Sequence, residues 1–411
     1  MTHPASTPEA ESPPVPKGVI ASIILFGAVG PLATDMYLPA FPMVVRDLDT
    51  TPGLLNLTLT TFFVGMALGQ LVGGRFSDQV GRKRPLVAGT IALMAASALC
   101  AMAPTIEVMI IARLLQGFSG GWTMVIGRAV LVDLARGAQL VRVMNTVMAV
   151  GAITPLVAPL LGAAILRLGT WHHSFWAIAL VAAVQLLAAL FVVPESLPPE
   201  RRHAGGLVEF GRAAGHILRK RAYVGFMMIN ALQGIGIFAY VSSSPYLFQT
   251  LNGLSPTQYS LVFAFNSGAI MISSTLSARL AGRVPTHQVL MSGLLLALAG
   301  GLWMMLGVAA FDAPLWSVWP ACFALTFSIG LVGGNSGALA SAEVPDHAGT
   351  GSALLGLAGS TAAAISPVLI TLMGAASAWP PAILLTLAPI GGLAMLVLVA
   401  MPAQRAKAAT A

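Results

Sequence analysis

Twelve apolar runs, each long enough to cross a bilayer, follow one another along this chain and leave little room for any other kind of fold. An α-helix rises about 1.5 Å per residue and the hydrocarbon core is about 30 Å thick, so roughly 20 apolar residues make one crossing. The runs fall at 18–41, 54–75, 85–103, 106–133, 140–166 and 171–193, then at 222–248, 257–280, 286–309, 315–341, 349–374 and 380–401. Only 9% of the residues are charged, whereas a soluble domain carries about 25%. The chain is expected to be an all-α polytopic membrane protein.

Six runs precede a polar segment at 194–221 and six follow it. The expected organisation is a disordered tail at 1–17, a six-helix bundle at 18–193, a central loop at 194–221, a second bundle at 222–401 and a tail at 402–411. Weak internal copies support two related halves. Gly117-Phe118-Ser119-Gly120-Gly121 recurs as Gly330-Leu331-Val332-Gly333-Gly334, Ala152-Ile153-Thr154-Pro155 as Ala364-Ile365-Ser366-Pro367, and Trp171 as Trp379. Inverted or parallel repeats of this kind are how many secondary transporters are built.

Lysine and arginine give the orientation, because cytoplasmic loops accumulate them. With both termini inside, Lys17, Arg75, Arg82, Lys83, Arg84, Arg136, Arg142, the basic central loop, Arg279, Arg283, Arg405 and Lys407 fall on the cytoplasmic side, against Arg46 and Arg167 opposite. The acidic loop of Glu343 and Asp346 runs against the trend, but acidic residues weigh little in this rule. A sequence pI near 9.9 therefore reports topology, and nucleic acid is not an expected partner.

One carboxylate stands deep in the first run, Asp35 in LATDMYLPAFP. An ionisable group there is expensive and marks a functional site by default; the plainer alternative is an interfacial helix cap. The fourth run carries Arg113 at a comparable depth. A nearby cation favours the charged form of Asp35 and desolvation opposes it, so a change in water access can switch the group. A permanent ion pair that merely ties the first and fourth helices is the structural alternative.

Between the second and third runs stands GQLVGGRFSDQVGRKRP, with Gly69, Gly73 and Gly74 at helix-contact spacing, Asp78 and Arg82 at i,i+4, and a turn glycine at Gly81. Together with LATDMYLPAFP, RLLQGFSGGW and GAITPLVAPLLG, this loop resembles the major facilitator superfamily, and more narrowly its twelve-helix drug/proton antiporters of the bicyclomycin/chloramphenicol-resistance branch. The resemblance implies two pseudo-symmetric six-helix bundles, proton-coupled export of small, largely apolar compounds such as amphenicol-like, bicyclomycin-like or cationic drugs, and a place in the bacterial inner membrane among its lipids, as a monomer. It also implies proton coupling by Asp35 and Arg113. A cytoplasmic latch would comprise Gly69, Gly73, Asp78, Gly81, Arg82 and Asp133, and an antiporter helix would be marked by Gly151, Pro155, Pro159 and Gly162.

Candidate substrate contacts are Thr34, Asp35 and Gln116 in the first half. In the second they are Asn230, Gln233, Phe238, Tyr240, Asn266 and Asn335, a set of amides and aromatics suited to a roomy pocket. For each of these a helix–helix hydrogen bond is an equally good reading.

Catalysis is not expected. Gly117-Phe118-Ser119-Gly120-Gly121 satisfies G-x-S-x-G, but all seven histidines lie in tails, loops or helix ends, so no base lies within reach of the serine. No phosphate-binding loop is present, and no metal or cofactor is expected. Cys100 and Cys322, each inside an apolar run, read as packing residues. The main alternative function is a proton symporter importing a small nutrient; a non-transporting receptor or an intramembrane hydrolase is the alternative from another class.

Overall fold

A computed structural model describes residues 15–202 and 207–404. The tail expected at 1–17 lies almost wholly outside them, as does most of that at 402–411. Twelve helices have the length and composition to cross a membrane. They are α1 (Lys17–Asp47), α2 (Pro52–Val80), α3 (Lys83–Ala101), α4 (Ile106–Leu134), α5 (Arg142–Leu168) and α6 (His172–Phe191), then α7 (Arg221–Leu251), α8 (Pro256–Leu280), α9 (Thr286–Phe311), α10 (Leu315–Ala342), α11 (Gly349–Gly374) and α12 (Trp379–Gln404).

Proline decides where these helices are irregular. In α1, Pro31, Pro39 and Pro42 each lack the N–H that would close an i→i−4 bond. The span is accordingly divided into Lys17–Gly27, Val29–Asp35, a 3₁₀ turn at Leu38–Ala40 and Phe41–Asp47. Asp35 ends the second piece, and its own carbonyl is one that Pro39 leaves unpaired. In α5, Pro155 sits just past a break at Ala152 and Ile153, and Pro159 lies inside the helix that follows. Such breaks survive in a membrane only where protein buries them or a cavity solvates them.

The expected central loop needs correction. It contains a helix, Leu207–Ile217, too short to span, whose Ala214 and Ile217 bury against the second bundle. Two such residues one turn apart suffice to seat a short amphipathic helix, a pattern easily lost in a stretch rich in charge.

The two halves repeat one pattern of packing. Helix α2 lies on α4 as α8 lies on α10, α3 on α4 as α9 on α10, and α3 on α6 as α9 on α12. The bundles meet through α2 against α11 and α5 against α8. Burial is unequal along the membrane normal. Toward the face opposite the Arg82 cluster, one apolar core runs through both bundles and includes Phe62, Phe63, Tyr240 and Phe263. Toward the basic face it divides in two, one core around Phe26, Leu86 and Val130, the other around Phe226, Leu290 and Leu396. The bundles are thus closed on the opposite face and apart on the basic one.

Helices α2 and α4 make the closest contact in the first bundle, and glycine is the reason. A Cβ on Gly69 would stand 1.9 Å from the Phe118 carbonyl oxygen, one on Gly117 2.0 Å from that of Phe62, and one on Gly121 2.1 Å from that of Met66. Backbone thus lies directly on backbone, as small residues permit in membranes. The expectation for Gly69 and Gly73 holds; Gly74 instead faces Val125 at ordinary contact distance. The second-half copy keeps only part of this: Gly330 abuts Ser273, while Gly333 and Gly334 face open space. Replacing Gly117 by valine is expected to lower the thermal midpoint of the detergent-purified protein, at a cost of about 1–3 kcal/mol from overpacking. Gly333→Ala should leave it unchanged or slightly raised, and equal losses in the two variants would refute this account of the contact.

Candidate functional site

Asp35 is 8% exposed, and its Oδ1 accepts a hydrogen bond from Thr34 Oγ1 at 2.9 Å. The same hydroxyl lies 3.0 Å from the Gly30 carbonyl, a back-bond that helps to bend the helix. Just beyond Asp35, the 3₁₀ turn at Leu38–Ala40 packs on α5 and α8, so the carboxylate stands where the bundles join.

Arg113 is fully buried, but it makes no ion pair with Asp35. Its Nη1 donates instead to the Ala33 carbonyl at 2.9 Å and to Gln116 Oε1 at 2.6 Å. The guanidinium carbon sits 4.4 Å from the centre of the Phe62 ring, 5.5 Å from that of Tyr37 and 5.8 Å from that of Phe175. Nε and Nη2 have no hydrogen-bond partner. The permanent ion pair considered from the sequence is therefore absent: the cation touches the backbone beside Asp35, and the aromatic faces of three helices supply part of the compensation, each worth up to about 2 kcal/mol when dry. None of the three rings was legible as a partner, because α1, α2 and α6 contribute one each.

Several expected substrate contacts need correction. Gln116 is wholly buried and both ends of its amide are engaged, Oε1 by Arg113 and Nε2 by Ser97 Oγ at 2.9 Å, so it orients the arginine and faces no cavity. Asn335 lies seven residues from the basic end of α10 and bonds Ser277 Oγ and the Leu331 carbonyl, away from the central group. Asn266 and Tyr240 do belong together. The Asn266 amide donates to the Tyr240 hydroxyl at 3.0 Å and accepts from Trp319 Nε1 at 3.2 Å, while Tyr240 stacks on Phe263. Phe238 meets Phe63 of the first bundle edge-on at 4.7 Å. Gln233 donates to Ser328 Oγ at 2.9 Å, and Asn230, half-buried, reaches Ser336 at 3.5 Å. Tyr259 and Trp319 complete this aromatic wall and were missed, as was the exposed Arg128 near the basic end of α4.

The closed face is held by polar contacts at the backbone irregularities. Pro159 leaves the Pro155 carbonyl without its helical donor, and Ser267 Oγ of α8 lies 3.3 Å from it, its one proton shared with the Phe263 carbonyl at 3.0 Å. Thr371 Oγ1 of α11 likewise lies 3.3 Å from the Gly53 carbonyl of α2 and 2.8 Å from the Pro367 carbonyl of its own helix. Gly162 lets α5 rest on α1, since a Cβ there would stand 2.1 Å from the Met36 carbonyl oxygen, whereas Gly151 faces open space.

On the basic face, Arg82 Nη1 pairs with Asp78 at 2.5 Å and its Nε with Asp133 at 2.9 Å. Both bonds lie inside the first bundle and exist while the basic ends are apart, so closure of that face is not what creates them. Asp133, expected in a cytoplasmic latch, thus joins Arg82 within one bundle. Gly81 has φ +99°, a left-handed turn that glycine makes without strain, and Gly282 repeats it in the second half. The sequence reading also missed Glu195, at the start of the central segment. Its carboxylate accepts from the backbone N–H of Arg82 at 2.8 Å, of Lys83 at 3.1 Å and of Leu197 at 3.1 Å, while Ser196 Oγ donates to Asp133. The segment that links the bundles is thereby fastened to the charged loop.

The Major Facilitator Superfamily model matches residues 23–367. The chain is 32% identical over 349 residues to an uncharacterized MFS-type transporter, YdgK, of Bacillus subtilis (strain 168), covering 84% of this chain and 87% of the relative. It is 29% identical over 364 residues to a bicyclomycin resistance protein homolog of Haemophilus influenzae, covering 88% and 90%. Among solved structures, that of a D-xylose-proton symporter superposes with a TM-score of 0.75 over 92% of this chain and 97% of its own, at 16% identity, a likeness of fold.

Partial burial opposes ionisation of Glu195, but the three backbone N–H groups and Arg202 outweigh it and hold the carboxyl below its usual range. A carboxyl depressed in this way stabilises the folded protein fully above about pH 4.3, the ordinary value for Glu, and loses that effect as pH falls through the depressed one. Glu195→Gln is therefore expected to lower the thermal midpoint most at neutral pH, with the gap to wild type narrowing below about pH 4. A gap independent of pH would mean that the charge is not what holds this loop.

Proposed function

The chain belongs to the major facilitator superfamily, and from that premise we propose that it is a proton-coupled exporter of small, largely apolar drugs, working by alternating access in the bacterial inner membrane. The observation that carries this reading is Asp35, a buried carboxylate without an ion-pair partner, at a break in α1 where the two bundles meet. The basic face is cytoplasmic, as its lysines and arginines imply, and the conformer described here is then inward-facing. The bicyclomycin resistance homolog from Haemophilus influenzae supports a drug as cargo.

Exchange follows from the cost of moving a bare charge. A carboxylate without proton or partner costs several kcal/mol to carry through a dry, closed intermediate. The bundles therefore rock only when Asp35 bears a proton or is shielded by bound cargo, which makes the two mutually exclusive passengers. Arg113, tied to the Ala33 carbonyl and steered by Gln116, holds the backbone under Asp35 in place and keeps a positive potential beside it. Phe238, half-buried where it meets Phe63 of the first bundle, offers cargo an apolar surface, while Tyr240 and Asn266 are buried and bonded to each other.

Asp78 keeps about half of its side chain exposed. When the basic ends close, it is placed to meet the N-terminus of α11 near Gly349, which carries a partial positive charge of about half a unit. A contact made only in the closed arrangement favours the outward-open state by its whole differential energy.

In proteoliposomes with an imposed pH gradient, adding a transported drug should release protons from the interior, and Asp35→Asn should reduce this to the level of protein-free liposomes while leaving binding of a neutral drug measurable. Gradient-driven export by that variant would end the proposal. Asp78→Asn should be produced at near-normal levels, transport poorly, and show greater reactivity of a cysteine placed on the cytoplasmic half of α5. Normal transport with unchanged labelling would remove Asp78 from the gating step.

A further inference from the structure

The closed face holds a cavity of about 560 Å³ between the bundles, bounded by the outer ends of α1 and α2 on one side and of α7, α8 and α11 on the other. It is not the central site: none of Asp35, Arg113, Tyr240 and Asn266 lines it. Its walls are mostly apolar, with Pro42 and Leu254 among them; its polar lining is Arg46, Asn56, Ser242, Gln249, Thr250 and the Tyr246 hydroxyl.

Asn56 is 3% exposed, yet its amide makes no hydrogen bond among the described residues. The Gln249 side chain, on the facing bundle, has a buried Nε2 that likewise lacks a partner. A buried N–H left unsatisfied, as at Gln249, costs free energy unless a group in the cavity accepts from it. Arg46, exposed at the mouth, is the one charged residue among the lining. An unpartnered Gln249 N–H and the Asn56 amide, on the two sides of a mostly apolar space with a single cation at its mouth, suit a molecule with an apolar body and hydrogen-bond acceptors; the cation disfavours a positively charged one.

We propose that this cavity is a second binding site, an outer vestibule that holds a neutral or anionic, acceptor-bearing amphiphile while the central site is closed to that side. Asn56 and Gln249 grip the acceptors and Arg46 selects against cations. The site stands on the geometry of the cavity and does not depend on proton coupling.

The native thiols Cys100 and Cys322 are fully buried, so Thr250→Cys, on the exposed rim, introduces the one accessible thiol. Its labelling by a membrane-impermeant maleimide in sealed proteoliposomes reads the occupancy of the vestibule. Chloramphenicol, neutral and acceptor-rich, should protect the thiol saturably, whereas tetraphenylphosphonium should not. In the same background, Gln249→Leu and Asn56→Leu should each raise the protecting concentration by about five-fold, the scale of one lost hydrogen bond. Arg46→Ala, an exposed change without risk to folding, should admit tetraphenylphosphonium. Absence of protection by chloramphenicol up to its solubility would overturn the site, as would equal protection by the cation in the parent background. Drug-driven proton release measured on the same vesicles separates the two proposals: protection without transport removes the exporter reading and leaves the vestibule, and transport without protection does the reverse.

Discussion

The arginine buried in the first bundle sets the terms for everything around it. Removing a guanidinium from water costs several kcal/mol that only close partners offset, and here the partners are not a carboxylate. A backbone carbonyl, one glutamine and three aromatic faces surround Arg113, and two of its nitrogens remain bare. That leaves Asp35 without a counterion although it stands two residues beyond the carbonyl that Arg113 grips. A salt bridge would have neutralised both groups permanently. Their separation leaves the carboxylate unneutralised by the cation.

Rigid and movable parts are divided by the same physical means. Where α2 meets α4, glycines bring backbone onto backbone, and the first bundle behaves as one block. Where the bundles meet, single hydroxyls approach backbone carbonyls, Ser267 at Pro155, whose helical donor Pro159 removes, and Thr371 at Gly53. A bond of this kind contributes about 1 kcal/mol net, enough to bias a closed face and little enough to break in each cycle. Proline in α5 thus does two things: it bends the helix, and it exposes an acceptor to the neighbouring bundle.

Charge is distributed unevenly between the halves. The loop after α2 assembles Asp78, Arg82, Asp133, Ser196 and Glu195 into one fastened cluster. The second-half loop keeps the left-handed glycine at Gly282 but has no acidic residue to pair with Arg283. The pseudo-symmetry is one of helix packing, and the chemistry is concentrated in one bundle.

Length and polarity of the apolar runs determined twelve spans and their pairing into halves, because hydrocarbon admits only closed helices of a fixed minimum length. The same rule singled out Asp35 and Arg113, since a charge at that depth is conspicuous in one dimension. Local spacing also sufficed for Gly69, Gly117 and the turn at Gly81. It did not suffice for the partners. The rings around Arg113 come from three helices, the grip of Glu195 on Arg82 spans 113 residues, and Gln116, read as a cargo contact, proved to be turned inward onto Arg113. Which face of an apolar helix looks inward is weakly marked when lipid and protein interior are equally apolar. That choice was left to the tertiary packing, and with it the separation of Asp35 from Arg113.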